Sequence, residues 1–161
     1  MSVDRASPKP AAHACPGRAW PAEQLLLTTI RGWAQAREEG VRPQSALGPL
    51  LATKTSSRAG ALLLAWIQAV EAASLRPIEI RCPVCGGLSV DEQRLIVSCG
   101  IAATNMDLGA MLLKPILGDT QSVMMLARGV NLALADCGWK LPARFAHAEV
   151  PPAGRTGQTL H

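Results

Sequence analysis

The stretch IRCPVCGGLSVDEQRLIVSC, residues 80 to 99, decides the fold that the sequence predicts. It holds three of the five cysteines of the chain, two of them in the step Cys82-Pro83-Val84-Cys85. Apolar and polar residues alternate on both sides of its two glycines, which is the period of a half-buried strand. We therefore predict a β-hairpin over about residues 78–99, with Cys82 and Cys99 on the same apolar side.

The same stretch also carries an opposing signal. Ser89 and Glu92 have the spacing of a capping box, in which a serine and a glutamate three residues later together cap the start of a helix. The β-branched pair Ile96-Val97 favours a strand over the residues that would follow such a cap. The hairpin is the preferred interpretation, and a helix beginning after Ser89 is the alternative.

Helical periodicity dominates the rest of the chain. Pro21 fits the first position of a helix and Gly40 fits the residue that ends it. Apolar residues at helical spacing recur in three later stretches of the chain. The predicted helices cover about residues 21–39, 57–74, 105–113 and 120–137. Pro43 and Gly48 interrupt the chain between the first two helices and leave at most a short helix at about residues 45–52. The predicted fold is mainly α with a small β-hairpin (α+β): about four helices around or beside a hairpin that contains cysteines.

Length and composition indicate one globular domain with two tails. The chain has 161 residues, and we expect residues 19–148 to fold as a single domain. Residues 1–18 and 149–161 are rich in Pro, Gly, Ser and Thr, and we expect both to be disordered tails. With one Phe, no Tyr and four Trp, the core must consist mainly of Leu, Ala, Val and Met.

The sequence favours a cytoplasmic protein without a membrane span. Its start has no apolar central stretch of the kind that a secretory signal requires. Its uncharged runs are shorter than the roughly 18 residues that cross a bilayer. In a reducing compartment the cysteines should remain thiols or metal thiolates, so a stable structural disulfide is the least expected state.

The cysteines of the opening stretch resemble part of a known metal-binding family. A C-x-x-C step supplies two of the four ligands that zinc needs, and the run Cys82-Pro-Val-Cys85-Gly-Gly resembles the first knuckle of a zinc ribbon. In that family a second C-x-x-C-G lies on the next hairpin arm. At the corresponding place this chain has Ile96 where the first cysteine would be and Cys99 where the second would be. The resemblance implies a structural zinc bound by Cys82, Cys85 and Cys99. Cys137 is the first choice as fourth ligand, ahead of four others: His147, Asp91, His13 and Cys15.

Two other interpretations of the thiols stay open. A C-P-x-C step resembles the active motif of glutaredoxin-type proteins, and residues 81–90, RCPVCGGLSV, resemble the redox motif of the cytochrome c maturation thioreductases. These resemblances imply a thiol-disulfide oxidoreductase in which Cys82 is the nucleophile and Cys85 the resolving thiol. The remaining interpretation is that the cysteines are small buried hydrophobic residues and bind no metal.

No residue pattern predicts acid/base or nucleophilic catalysis, because the three histidines are far apart at positions 13, 147 and 161. The leading prediction is therefore a non-enzymatic regulatory or adaptor domain that binds a macromolecular partner and is braced by zinc. A small protein-binding antagonist without metal is an alternative, and the Leu- and Ala-rich helical faces leave room for a homodimer.

DNA is the first partner to test and a protein the second. The net charge of the chain is +4, and bacterial zinc ribbons often bind nucleic acid. Six basic residues form the candidate nucleic-acid surface: Arg76, Arg81, Arg94, Arg128, Lys140 and Arg144.

Overall fold

The structure, a computed structural model, describes residues 21–144, and these residues form six α-helices without a strand. The helices are α1 (Pro21–Glu38), α2 (Pro43–Lys54), α3 (Ser57–Ala73), α4 (Val90–Ile101), α5 (Met106–Leu113) and α6 (Thr120–Asp136). The predicted α+β class is therefore wrong, and four helices were too few. The hairpin predicted at about residues 78–99 is absent from this part of the chain, which has only one isolated bridge, between Ser74 and Leu117. The predicted tails, residues 1–18 and 149–161, lie outside the described residues.

Four of the helices, α1, α3, α5 and α6, begin and end within one residue of the predicted ranges. The second helix, α2, is longer than the sequence suggested. Its first residue is Pro43, whose fixed backbone angle suits the first position of a helix and whose missing N–H has no helical partner to lose there. Proline therefore starts this helix where the sequence analysis treated it as a break.

The fourth helix, α4, replaces the second arm of the predicted hairpin. The capping box is real: the Ser89 hydroxyl accepts a hydrogen bond from the Glu92 N–H at 3.0 Å, and the Glu92 carboxylate accepts one from the Ser89 N–H at 2.8 Å. From Leu95 to Ala102 every residue is buried, and Ser98 is the one polar side chain among them. The second half of the helix therefore has no exposed polar face, which weakens the helical period of its sequence.

The first arm of the predicted hairpin has no regular secondary structure, and its backbone pairs with side chains. In residues 78–81 the two isoleucines pack against the core, and Glu79 and Arg81 are exposed. The backbone N–H of Glu79 donates to the Asp91 carboxylate at 3.0 Å, and that of Arg81 donates to the Glu92 carboxylate at 3.2 Å. The alternation of apolar and polar residues thus reflects one packed and one exposed side of this segment, whose N–H groups are bonded to carboxylates in the first turn of α4.

The core lies between α3 and α6, which pack closely against each other. Helices α4 and α5 pack against α6, α1 and α2 pack against α3, and α1 also packs against α4. Trp66 of α3 is fully buried in the core cluster. Asn131 of α6 donates its amide to the carbonyls of Cys99 and Gly100, both at 3.0 Å, and so binds α6 to the end of α4. Among the six helices described, none combines the length and apolar character that a membrane span needs.

Candidate functional site

An exposed turn between α3 and α4 carries the cysteine pair. Cys82 and Cys85 are joined by a disulfide with their Cα atoms 5.2 Å apart, and the Cys85 N–H donates to the Cys82 carbonyl at 3.1 Å. Both residues are exposed, and Val84 between them is 94% exposed. We call residues 82–87 the cysteine turn. The disulfide is the state that the sequence analysis expected least.

A buried arginine holds the cysteine turn in place. Arg31 of α1 donates to the carbonyl of Cys85 at 3.2 Å and to that of Gly87 at 2.8 Å. The same guanidinium donates to the two carboxylate oxygens of Glu92 at 2.8 and 3.1 Å. One side chain therefore ties the turn, α1 and α4 together, and the backbone around the disulfide is preorganised.

The Arg31–Glu92 pair keeps its charges although it is buried. Burial is the largest influence on the pKa of Glu92 and raises it, but hydrogen bonds from Arg31 and from the N–H groups of Ser89 and Arg81 outweigh burial. The net result is a Glu92 pKa below its usual range. The hydrogen bond with Glu92 raises the pKa of Arg31. Both groups are therefore ionised at neutral pH.

A second carboxylate at the start of α4 holds the other end of the loop. Asp91 accepts two hydrogen bonds from Arg76, at 2.8 and 2.9 Å, and a third from Arg94 at 3.2 Å. The hydrogen bonds from Arg76 are the main reason why the pKa of Asp91 lies below its usual range. Asp91 and Glu92 together hold the loop that leads from α3 to the cysteine turn.

A groove runs between α1 and the cysteine turn. Its volume is about 260 Å³. It is lined by Gln24, Leu27, Thr28, Arg31, Gly32, Gln35 and Pro83. Because Pro83 forms part of the wall, a peptide lying in the groove would contact the cysteine turn directly. The exposed glutamine and threonine side chains on α1 can hydrogen-bond to a peptide backbone.

The structure brings together only two of the four predicted zinc ligands, Cys82 and Cys85. Cys99 is fully buried in α4, its thiol lies 3.7 Å from the carbonyl oxygen of Ala127, and burial raises its pKa. Cys137 is half-buried at the end of α6 and packs against the core. Within residues 21–144 no group of three or more His, Cys, Asp or Glu side chains is arranged to hold a metal.

The other residues considered as fourth ligand are not placed beside the cysteines by this structure. Asp91 is engaged with Arg76 and Arg94, as described above. The remaining three, His13, Cys15 and His147, lie outside the described residues. Zinc binding stays a prediction.

The six predicted nucleic-acid contacts do not form a set of free cations. Three of them are paired with carboxylates: Arg76 and Arg94 with Asp91, and Arg144 with Glu23. The other three are exposed: Arg81, Arg128 and Lys140. Pairing reduces the positive charge available to phosphate groups, and nucleic-acid binding stays a prediction.

Arg31 and Glu92 support the site, and neither was predicted from the sequence to do so. The capping-box spacing of Ser89 and Glu92 was the available signal for Glu92, but the hairpin was preferred to the helix that this spacing predicts. Arg31 carries no local signal, since it lies on a polar stripe of α1 and is 61 residues away from its partner.

Comparison of the chain with protein-family models, curated proteins and solved structures finds no match in any of the three. The function proposed for this site therefore rests on its geometry and chemistry.

Proposed function

We propose that the protein exchanges disulfides with the thiols of a partner protein through Cys82 and Cys85. One observation carries this proposal: the two cysteines are linked on an exposed turn whose backbone is fixed by Arg31. Exposed disulfides are the ones that thiolates can reach, and they are commonly labile, regulatory or catalytic. A disulfide that closes so short a loop also adds only about 2 kcal/mol to stability in the chain-entropy model.

The exchange would follow ordinary thiol chemistry. A partner thiolate attacks the sulfur of Cys82, the bond between the cysteines breaks, and Cys85 leaves as a thiolate that takes a proton from water. A second partner thiolate attacks the mixed disulfide and releases Cys82 as a thiolate. The partner gains a disulfide and loses two electrons, and the cysteine pair becomes a dithiol. The reverse reaction begins with the Cys82 thiolate.

We assign the mixed disulfide to Cys82, the first cysteine of the C-x-x-C step. The backbone of Cys85 is held on both sides, since its N–H donates to Cys82 and its carbonyl accepts from Arg31. Cys82 follows Arg81, whose guanidinium donates to the Gly86 carbonyl of the same turn at 3.1 Å.

The surroundings of the turn support a protein as the exchange partner. Three large apolar side chains close to the cysteines in the sequence are exposed: Val84, Leu88 and Val90. Exposed apolar side chains are enriched on surfaces that bind proteins. A regulatory or adaptor role through a protein partner fits this surface better than DNA binding, because the arginines nearby are largely paired with acidic residues.

Equilibration in a series of glutathione redox buffers tests the proposal. The oxidised fraction of the pair is measured by alkylation and mass spectrometry, with a Cys137→Ser variant as control. We expect a reversible transition between the dithiol and the intramolecular disulfide in the wild type and the control, and no intramolecular disulfide in Cys82→Ser. A pair that stays oxidised, or one that never oxidises, in every buffer of the series would contradict the proposal.

A further inference from the structure

We propose that the reduced cysteine pairs of two copies of this chain bind one zinc ion between them, with four thiolate ligands. The reason is that the turn supplies half of a zinc site at an exposed position. Structural zinc takes four ligands in a tetrahedron, and C-x-x-C steps are a common source of two of them. Within residues 21–144 no third ligand joins the pair, and a second copy of the chain is the proposed source of the other half.

The geometry of the turn suits zinc once the disulfide is reduced. Four Zn–S bonds of about 2.3 Å in a tetrahedron place neighbouring sulfur atoms about 3.8 Å apart. The Cα atoms of Cys82 and Cys85 are 5.2 Å apart, so rotation of the two side chains can open the sulfur atoms to that distance. The hydrogen bond from the Cys85 N–H to the Cys82 carbonyl can persist through this change.

A second copy can reach the turn and would supply both missing ligands at once. Val84 at the tip is 94% exposed, and Cys82 and Cys85 are exposed beside it. Two turns that meet across a two-fold axis present the same pair of sulfurs to the metal from both sides, which closes the assembly as a dimer.

The charges around the turn also fit a shared site. One Zn²⁺ with four thiolates has a net charge of −2, from +2 and four times −1. Each copy brings the guanidinium of Arg81 to the turn, where it donates to Gly86, and two such groups balance that charge. Arg31 does not serve this purpose because its charge is matched by Glu92.

This inference goes beyond disulfide exchange and does not rest on it, since it needs only the dithiol form. A pair that binds zinc and fails to equilibrate with glutathione would overturn the exchange proposal alone. A pair that exchanges and binds no metal would overturn the zinc proposal alone.

The test uses the full chain, reduced with a non-thiol reductant and titrated with Co²⁺ in place of zinc. We expect intense visible absorption typical of tetrahedral cobalt thiolate, saturating at one Co²⁺ per two chains. The molar mass from light scattering should double from 16.9 kDa at the same ratio, and chelator should restore the monomer. Added Zn²⁺ should displace the cobalt and keep the dimer.

Variants separate the shared site from a site within one chain. Cys82→Ser and Cys85→Ser should each abolish both the absorption and the dimer, whereas a Cys15→Ser/Cys137→Ser double variant should keep both. One metal per monomeric chain, or loss of binding in that double variant, would overturn the proposal. Absence of metal binding, or a dimer that persists in chelator, would overturn it as well.

Discussion

The guanidinium of Arg31 and the carboxylate of Glu92 form a buried ion pair that joins α1 to α4 beneath the exposed disulfide. The carboxylate also accepts hydrogen bonds from the backbone of Ser89 and Arg81, and the guanidinium donates to two carbonyls of the cysteine turn. This pair therefore connects the helical core to the cysteine turn.

Glu92→Gln should reduce the free energy of unfolding by about 3 kcal/mol, because it leaves a buried guanidinium without its counter-charge. Denaturant unfolding followed by circular dichroism measures the change. Glu71→Gln is the matched control, since it removes the carboxylate of the exposed pair with Arg37. We expect little change in the control. Equal decreases in the free energy of unfolding in the two variants would show that the buried pair contributes no more than the exposed one.

An Arg31→Met/Glu92→Met variant completes the test of that pair. Removing both partners should cost less than the sum of the single changes, since no uncompensated charge remains buried. Additive losses would contradict a direct interaction.

Stability should fall when the solution is acidified. The pKa values of Asp91 and Glu92 are lowered in the folded protein, so the unfolded chain takes up protons first as the pH falls. Their contribution is fully present above the unfolded values of about 4 and is lost as the pH falls through the lower folded values. Asp91→Asn should flatten this dependence, whereas Glu38→Gln at an exposed position should keep it. An unchanged acid dependence in Asp91→Asn would contradict the assignment.

Ser89→Ala should destabilise the protein by about 1 kcal/mol because it removes the cap of α4. The hydroxyl accepts the Glu92 N–H and donates to the carbonyl of Glu79, so both the helix start and the loop depend on it. Ser57→Ala, at an exposed position in the first turn of α3, is the control. Thermal melts of the three proteins measure the difference. A melt of Ser89→Ala that matches the control would argue against the helix cap.

Gly100→Ala should destabilise the protein although alanine is the better helix former. An added Cβ would lie 2.6 Å from the carbonyl oxygen of Pro142, so the segment that packs on α4 must move. At Gly48 of α2 the nearest atom to such a Cβ is 3.7 Å away, on the Leu64 side chain. Gly48→Ala should therefore be neutral or stabilising by up to about 1 kcal/mol. Stabilisation by both changes would contradict the close contact.

The helices that the sequence predicted correctly are those with two distinct faces. In α1 and α6 the apolar residues recur at helical spacing because only one side of each helix meets the core. The fourth helix was harder to find in this way, because Leu95 to Ala102 are all buried and its second half has no exposed polar face. Its β-branched residues then favoured a strand, although the cap at Ser89 already marked the helix start.

The candidate site was predicted in part. The spacing of Cys82 and Cys85 was sufficient to identify the two residues as a pair, since a C-x-x-C step places its own two sulfurs close together. The assignment of Cys99 to the same site depended on the hairpin, and in the helix that replaced it this side chain is buried against α6. The support from Arg31 depends on a contact across 61 residues, which local patterns do not contain.

The most direct test of the exchange proposal is to trap the mixed disulfide. The Cys85→Ser variant is incubated with oxidised glutathione, and the adduct is located by peptide mass mapping. We predict that Cys82 carries glutathione in this variant and that the wild type releases it by forming the Cys82–Cys85 disulfide. An adduct that forms on Cys82 no faster than on a small-molecule thiol, or that persists equally in the wild type, would contradict the proposal.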